Sequence, residues 1–168
     1  QYIDKETGPV LLGIENDIAH FAVDVTPLED PESLLGLGEA KFSDVRTIAS
    51  MVSSQEAGIL AQGRAVIDWH ARNKFCSKCG HATRQQDSGL MRVCTHCACE
   101  NFPRTDPVVI MLVKYDDRIL LGRQSTWPLG MYSCIAGFVD QGETIEAAAR
   151  REVFEETGVI VGDVEYYA

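Results

Sequence analysis

The sequence predicts an α+β chain in three parts. A small α+β domain covers residues 1–73, a cysteine-rich ribbon covers 74–104, and a third part of β-hairpin and helix covers 105–168. Three observations predict this. Short β-rich runs precede a long segment with helical spacing. Paired cysteines then crowd the middle. An apolar hairpin pattern follows, and leads into an alanine-rich helix that carries three glutamates.

The β-rich runs of the first part are Val10–Ile14 and Ala19–Val25, and a Pro/Gly-punctuated connection follows from Leu28 to Glu39. Residues 43–73 read as helix. Ser53 and Glu56 have the spacing of a capping box. Beyond them Ile59, Val66 and Trp69 recur at helical intervals, as do Leu60 and Ile67. Gly58 and Gly63 weaken that helix, since glycine is a poor helix former. Trp69 and His70 read as core and helix-end residues.

Composition narrows the function classes. Of the 168 residues, 45% are hydrophobic, which is enough to bury a core. No apolar run is long enough to span a bilayer, so no membrane role is expected. The formal charge is −10, so the chain does not hold phosphate backbones by bulk attraction. If it handles a polyphosphate, a bound cation or a local Arg/Lys cluster must mediate. The chain opens on Gln1 without a recognisable leader, and it reads as the interior of a longer protein.

Of the six cysteines, Cys76, Cys79, Cys94, Cys97 and Cys99 cluster in the ribbon segment, and Cys134 stands apart. A disulfide framework is the competing reading, but local clustering in a core-forming chain suits a metal better. Cys76 and Cys79 form one CxxC knuckle, Cys94 and Cys97 a second. Four thiolates satisfy tetrahedral Zn²⁺ and leave no open position, so the expected site is structural. Gly80 allows the tight turn of the first knuckle. Cys99 competes with Cys97 as fourth ligand. His81 and His96 read as surface residues, and Cys134 as a buried apolar thiol.

In the third part, Val108–Tyr115 is nearly continuously apolar and reads as one buried strand. Asp116 and Asp117 form a turn, Ile119–Leu121 a second strand and Ser133–Ala136 a short third. A helix follows from Thr144 to Glu156. At about 100° per residue, Ile145, Ala148 and Ala149 share a face with Glu152, Glu155 and Glu156. Carboxylates at this spacing repel. Removing one charge is therefore expected to leave the metal-free fold unharmed or slightly more stable. Hard divalent cations resolve the repulsion, because Mg²⁺ bridges carboxylates to phosphate oxygens. Gly158 supplies the helix stop.

Gly137, Glu143, Arg151, Glu152, Val153, Glu155, Glu156, Gly158 and Val159 fill every specified position of G-x5-E-x7-R-E-U-x-E-E-x-G-U, with U aliphatic. This pattern resembles the Nudix box. The flanking order is more specific: Lys74–Gly80 enters the ribbon, Phe102–Pro107 leaves it, and Gly130–Met131 and Cys134–Phe138 enter the box. In that order the chain resembles the NADH pyrophosphatase branch of the Nudix hydrolases, which includes enzymes that remove NAD caps from RNA.

The resemblance implies a Nudix α/β/α sandwich, dependence on Mg²⁺ or Mn²⁺ and a homodimer. It implies an intracellular protein, cytoplasmic or, in a eukaryote, peroxisomal. Glu152 and Glu156 would be metal ligands, Glu155 a further ligand or the general base, and the Ala136 carbonyl would complete the shell. Arg151 and Glu143 would form the bracing ion pair. Phe102 stands where the family places a substrate-contacting aromatic, often Tyr, and it lacks that hydroxyl. The branch carries a further motif, S-Q-P-W-P-F-P-x-S, after the box. This sequence ends at Ala168, where the motif would begin, and is expected to be a fragment. The implied reaction splits the dinucleotide pyrophosphate into nicotinamide mononucleotide and AMP, with NAD-capped RNA as a second substrate. The alternative is a zinc-ribbon nucleic-acid-binding protein with a vestigial Nudix domain, its RNA positioned by Lys74, Lys78, Arg84 and Arg92.

Overall fold

A computed structural model describes residues 8–34, 36, 38 and 40–167. The chain divides into two compact units, residues 1–104 and 105–168.

In the first unit, β1 (Val10–Glu15) and β2 (Ile18–Ala22) form an antiparallel hairpin. Its turn places Asn16 and Asp17 at positive φ, which these two residue types tolerate. The connection that follows holds a one-turn helix, α1 (Pro31–Leu34); residues 35, 37 and 39 of it lie outside the described residues. The predicted helix over 43–73 is two helices. Asp44 accepts from the backbone N–H of Arg46 and Thr47 and caps the short α2 (Val45–Ile48). Ser53 and Glu56 form the expected capping box, which starts a new helix, α3 (Ser54–Arg72). Two caps within ten residues define two N-termini, so one continuous helix cannot form. Gly63, which weakens α3 by propensity, is where the helix meets the hairpin. A Cβ there would lie 3.2 Å from the Leu12 side chain and 3.5 Å from Ala22.

The ribbon is a three-stranded antiparallel sheet in the order β3 (Thr83–Gln86), β4 (Met91–Cys94), β5 (Glu100–Asn101). One polar cluster ties it to α3. His70 is 1% exposed and Arg92 2%. The Gly89 carbonyl can only accept, so His70 Nε2–H donates to it at 2.8 Å. Nδ1 then accepts from Arg92 Nη1 at 2.9 Å. Burial first, then the nearby guanidinium, pushes the imidazole below its ordinary pKa and keeps it neutral, opposed by the Gly89 bond. Arg92 also donates to the Thr83 hydroxyl and carbonyl at 2.8 and 2.9 Å.

In the second unit, the expected strand over Val108–Tyr115 is two: β6 (Val108–Met111) and β7 (Val113–Tyr115). β6 pairs with β9 (Ile135–Phe138), whereas β7 pairs with β8 (Arg118–Leu120) across the Asp116–Asp117 turn. The run divides because its halves take different partners. Val109 and Met111 enter the core, whereas Val108 and Ile110 are 52% and 72% exposed. Helix α4 (Ile145–Thr157) covers the inner face through Ala148, Ala149 and Val153. The two alanines let the helix lie close to the sheet. Thr144 caps its N-terminus, and Gly158, at φ 71°, ends it in the left-handed conformation.

Two side chains depart from expectation. Ile145 is 61% exposed, because the buried stripe is continued by Val153. Cys134 is only half-buried; its neighbour Ile135 takes the core position of the strand. Among the described residues no helix is long and apolar enough to cross a membrane.

Candidate functional site

The ribbon brings four sulfurs together. The Sγ atoms of Cys76, Cys79, Cys94 and Cys97 all lie within 4.8 Å of one another. Three of the separations are 3.4–3.7 Å. Zn–S bonds of about 2.3 Å give a tetrahedral edge of about 3.8 Å, so these thiols are spaced for zinc. The first knuckle closes through Gly80 N–H donating to the Cys76 carbonyl, with Gly80 at φ 75°. The second lies between β4 and β5. There the backbone N–H groups of Cys97 and His96 point at Cys94 Sγ, each at 3.4 Å. These bonds, that from Cys97 foremost, bring the Cys94 thiol down to about 6 and favour its thiolate. Cys99 is outside the cluster; its Sγ lies 3.6 Å from the Glu100 carbonyl. His81 and His96 are exposed as expected, their rings stacked 4.1 Å apart.

The second constellation surrounds Arg151. Its Nε and Nη2 hold both oxygens of Glu143 at 2.9 and 2.8 Å, a bidentate pair. Nη2 also donates to the Phe138 carbonyl at 2.9 Å. Nη1 reaches Glu152 at 2.9 Å and Glu155 at 3.1 Å. One guanidinium thus joins strand β9, the loop before α4 and two of the three helix glutamates. Its bond to Glu143 is the main reason its pKa is raised, and the same bond lowers that of Glu143. Glu143 also accepts from the Asp140 backbone N–H, which fixes the turn of the loop. Glu152 is shielded, its side chain 14% exposed, whereas that of Glu155 is 56% exposed. Glu156 is exposed on the next position. The glutamates therefore do not share the buried face of Ala148 and Ala149 as expected. They run along its edge, with Glu152 at the sheet. Ala136 lies in β9 opposite Ile110. Phe102 follows β5 and is 61% exposed.

Three family descriptions match consecutive parts of the chain. Residues 1–69 match the NADH pyrophosphatase-like rudimentary NUDIX domain, 71–100 the NADH pyrophosphatase zinc ribbon domain, and 103–168 the NUDIX domain. The chain belongs to the Nudix hydrolases. Among the relatives of this Nudix chain, NAD-capped RNA hydrolase NUDT12 of Homo sapiens is 49% identical over 127 residues, 70% of this chain and 28% of the relative. Nudix hydrolase 19, chloroplastic, of Arabidopsis thaliana is 40% identical over 98% of this chain and 40% of its own length. NAD(P)H pyrophosphatase NUDT13, mitochondrial, of Homo sapiens is 37% identical over 95% and 48%. The chain thus spans less than half the length of each of these relatives.

One feature of the Nudix box gains a physical reason. A Cβ built on Gly137 would fall 1.9 Å from Cδ of Glu152. The carboxylate lies directly over the backbone of β9, in a space that only glycine leaves open. A hydrogen-bonding carboxylate held there, beside Glu155 and Glu156, is a donor set that suits a hard divalent cation. Gly137→Ala is expected to fold, since φ there is not positive, with a melting temperature close to the parent's. It must displace Glu152, and a misplacement of about 1 Å lowers kcat/KM on the order of a hundredfold. Normal turnover in this variant would show that the carboxylate position is not used. The motif marked Gly137 in the sequence but not the cradle. The Phe138 carbonyl and the 3.9 Å approach of Asp140 to Arg151 had no sequence signal at all.

Proposed function

We propose that the protein hydrolyses the pyrophosphate of NAD(H)-type dinucleotides, with Mg²⁺ or Mn²⁺, to nicotinamide mononucleotide and AMP. On NAD-capped RNA the same reaction releases nicotinamide mononucleotide and leaves a 5′-monophosphate strand. The observation that supports it most is the Glu143–Arg151–Glu152 bracket over Gly137, in a chain whose three segments all match NADH pyrophosphatase or Nudix families.

A bound cation supplies charge neutralisation of the bridging phosphates and lowers the pKa of water. Glu152 and Glu156 would hold it, with the Ala136 carbonyl and Glu155 as further donors. The protein's own contribution is placement. Arg151 fixes the loop through Glu143 and the strand through Phe138, so Glu152 is presented at one position against Gly137. One glutamate of the set accepts the proton of the attacking water. The water oxygen joins one phosphorus, the bridging P–O bond breaks, and the other phosphate leaves as a monophosphate. Phe102 offers a face for stacking on a base and no hydroxyl for a hydrogen bond.

The three-part division at 73/74 and 104/105, a homodimeric assembly and an intracellular location belong to the same proposal. Relatives named mitochondrial and chloroplastic extend the cytoplasmic and peroxisomal expectations to organelles. The alternative of a vestigial hydrolase loses one of its supports, since Arg92 is spent on Thr83 and His70 rather than offered to phosphate.

In the full-length protein, kcat/KM for NADH is expected to exceed that for ADP-ribose and for nucleoside triphosphates. AMP should appear among the products by chromatography. Preference for triphosphates with release of pyrophosphate would place the protein in another Nudix activity class.

A further inference from the structure

Residues 1–104 carry a surface whose chemistry the splitting of a small dinucleotide does not use. A groove of about 780 Å³ runs beside β3, with Lys74, Phe75, Arg84, Gln86 and Thr95 in its walls. Among the described residues no carboxylate lines it, in a chain whose formal charge is −10. Phe75 is 70% exposed. The ring is open to solvent, and its backbone is fixed on both sides. Lys74 accepts from Thr83 N–H at 2.9 Å, Phe75 bridges to Ala82, and Cys76 N–H donates to His81 at 2.8 Å. Arg92 also lines the groove, its guanidinium engaged with Thr83 and His70.

We propose that this groove binds single-stranded RNA, namely the strand that follows a dinucleotide cap. The inference rests on the hydrolase reading above and narrows its substrate class to capped RNA. An aromatic face beside cations is how proteins hold single strands without reading sequence, because every base has a π-face. Phe75 stacks a base. Lys74 and Arg84 take the flanking phosphates. Gln86 and Thr95 supply donors and acceptors to base edges or ribose hydroxyls. An acidic surface repels RNA, so a groove lined by no carboxylate among the described residues favours the strand over the surrounding surface.

The test uses the full-length native protein with zinc retained. The first arm titrates it with a 5′-monophosphorylated single strand of about ten nucleotides, within the span of known single-strand sites. Phe75→Ala is expected to weaken binding about tenfold, the loss of one stacked base. Lys74→Gln with Arg84→Gln should reduce the slope of log K against log salt by about 1.4, two phosphates on a single strand. The second arm compares substrates. KM for NAD-capped RNA should rise in both variants while kcat/KM for NADH stays within about twofold. Zinc content and melting temperature should match the parent's. Equal losses on NADH and capped RNA would make the patch structural and overturn the proposal. So would unchanged RNA affinity in the variants, or a parent that binds the strand no better than AMP does. A parent that cleaves neither NADH nor capped RNA would instead overturn the hydrolase reading. The RNA titration tells these two failures apart.

Discussion

Glu152→Gln and Glu156→Gln should each lower kcat/KM with Mg²⁺ by about 10²–10⁴-fold, the range that a positioned catalytic carboxylate contributes. Each keeps the side-chain shape and removes one anionic oxygen donor from the set proposed to hold the divalent cation. The two should separate in the metal-free protein, which repulsion among three carboxylates alone does not predict. Arg151 Nη1 already compensates Glu152 and Glu155. Glu152→Gln therefore loses an ion pair whose carboxylate is largely shielded, and its melting temperature without metal should fall slightly. Glu156 has no described cation partner, so Glu156→Gln should melt at the parent's temperature or slightly above it. Arg151→Ala removes the brace from Glu143, Glu152 and the Phe138 carbonyl together, and stability and turnover should fall in parallel. Melting curves without metal and kcat/KM with Mg²⁺ for the three variants decide the matter. Near-normal turnover in both glutamine variants would reduce the stripe to a solvated acidic edge.

The parts of this site that were legible in the sequence share one property: they depend on local spacing. The CxxC pairs, the Thr144–Gly158 limits of α4 and the Ser53–Glu56 capping box are all set within a few residues, where backbone geometry leaves little choice. Zinc-ligand spacing and the glutamate positions are visible for the same reason. What was misjudged depends on partners far along the chain. The apolar run from Val108 to Tyr115 looks uniform, yet its first half pairs with β9 and its second with β8, so it is two strands. Val108 and Ile110 are as apolar as Val109 and Met111 and point the other way.

The charged residues show the same division. Helical spacing puts Glu152, Glu155 and Glu156 near Ala148 and Ala149, but not whether that stripe faces inward or along an edge. Val153 decides this by taking the buried position itself. Arg92 reads as a surface cation of the ribbon, because arginine is rarely buried unless paired. Its partners, His70 and Thr83, are 22 and 9 residues away and come from a helix and a neighbouring strand. His70 as a core residue was legible; the guanidinium it receives was not.

Cys94→Ala should prevent residues 74–104 from folding rather than slow the reaction. Metal binding and folding are one event in a ribbon of this size. The sheet has strands of only 4, 4 and 2 residues, too little to hold without the ion, and structural zinc contributes on the order of 10 kcal/mol. Cys94 is 3% exposed and its sulfur accepts from two backbone N–H groups, so its loss removes both a ligand and the acceptor that closes the second knuckle. The His70–Arg92 cluster then loses the strand that carries Arg92, and α3 should become more open to hydrogen exchange. Bound zinc, measured by a colorimetric chelator, should fall from about one per chain to near zero. Cys97→Ser should behave like Cys94→Ala, whereas Cys99→Ser should keep its zinc and its melting temperature, because Cys99 lies outside the sulfur cluster. Zinc loss in Cys99→Ser with retention in Cys97→Ser would exchange the two ligands. Retention of zinc and fold in Cys94→Ala would mean that the four thiols are not the metal site.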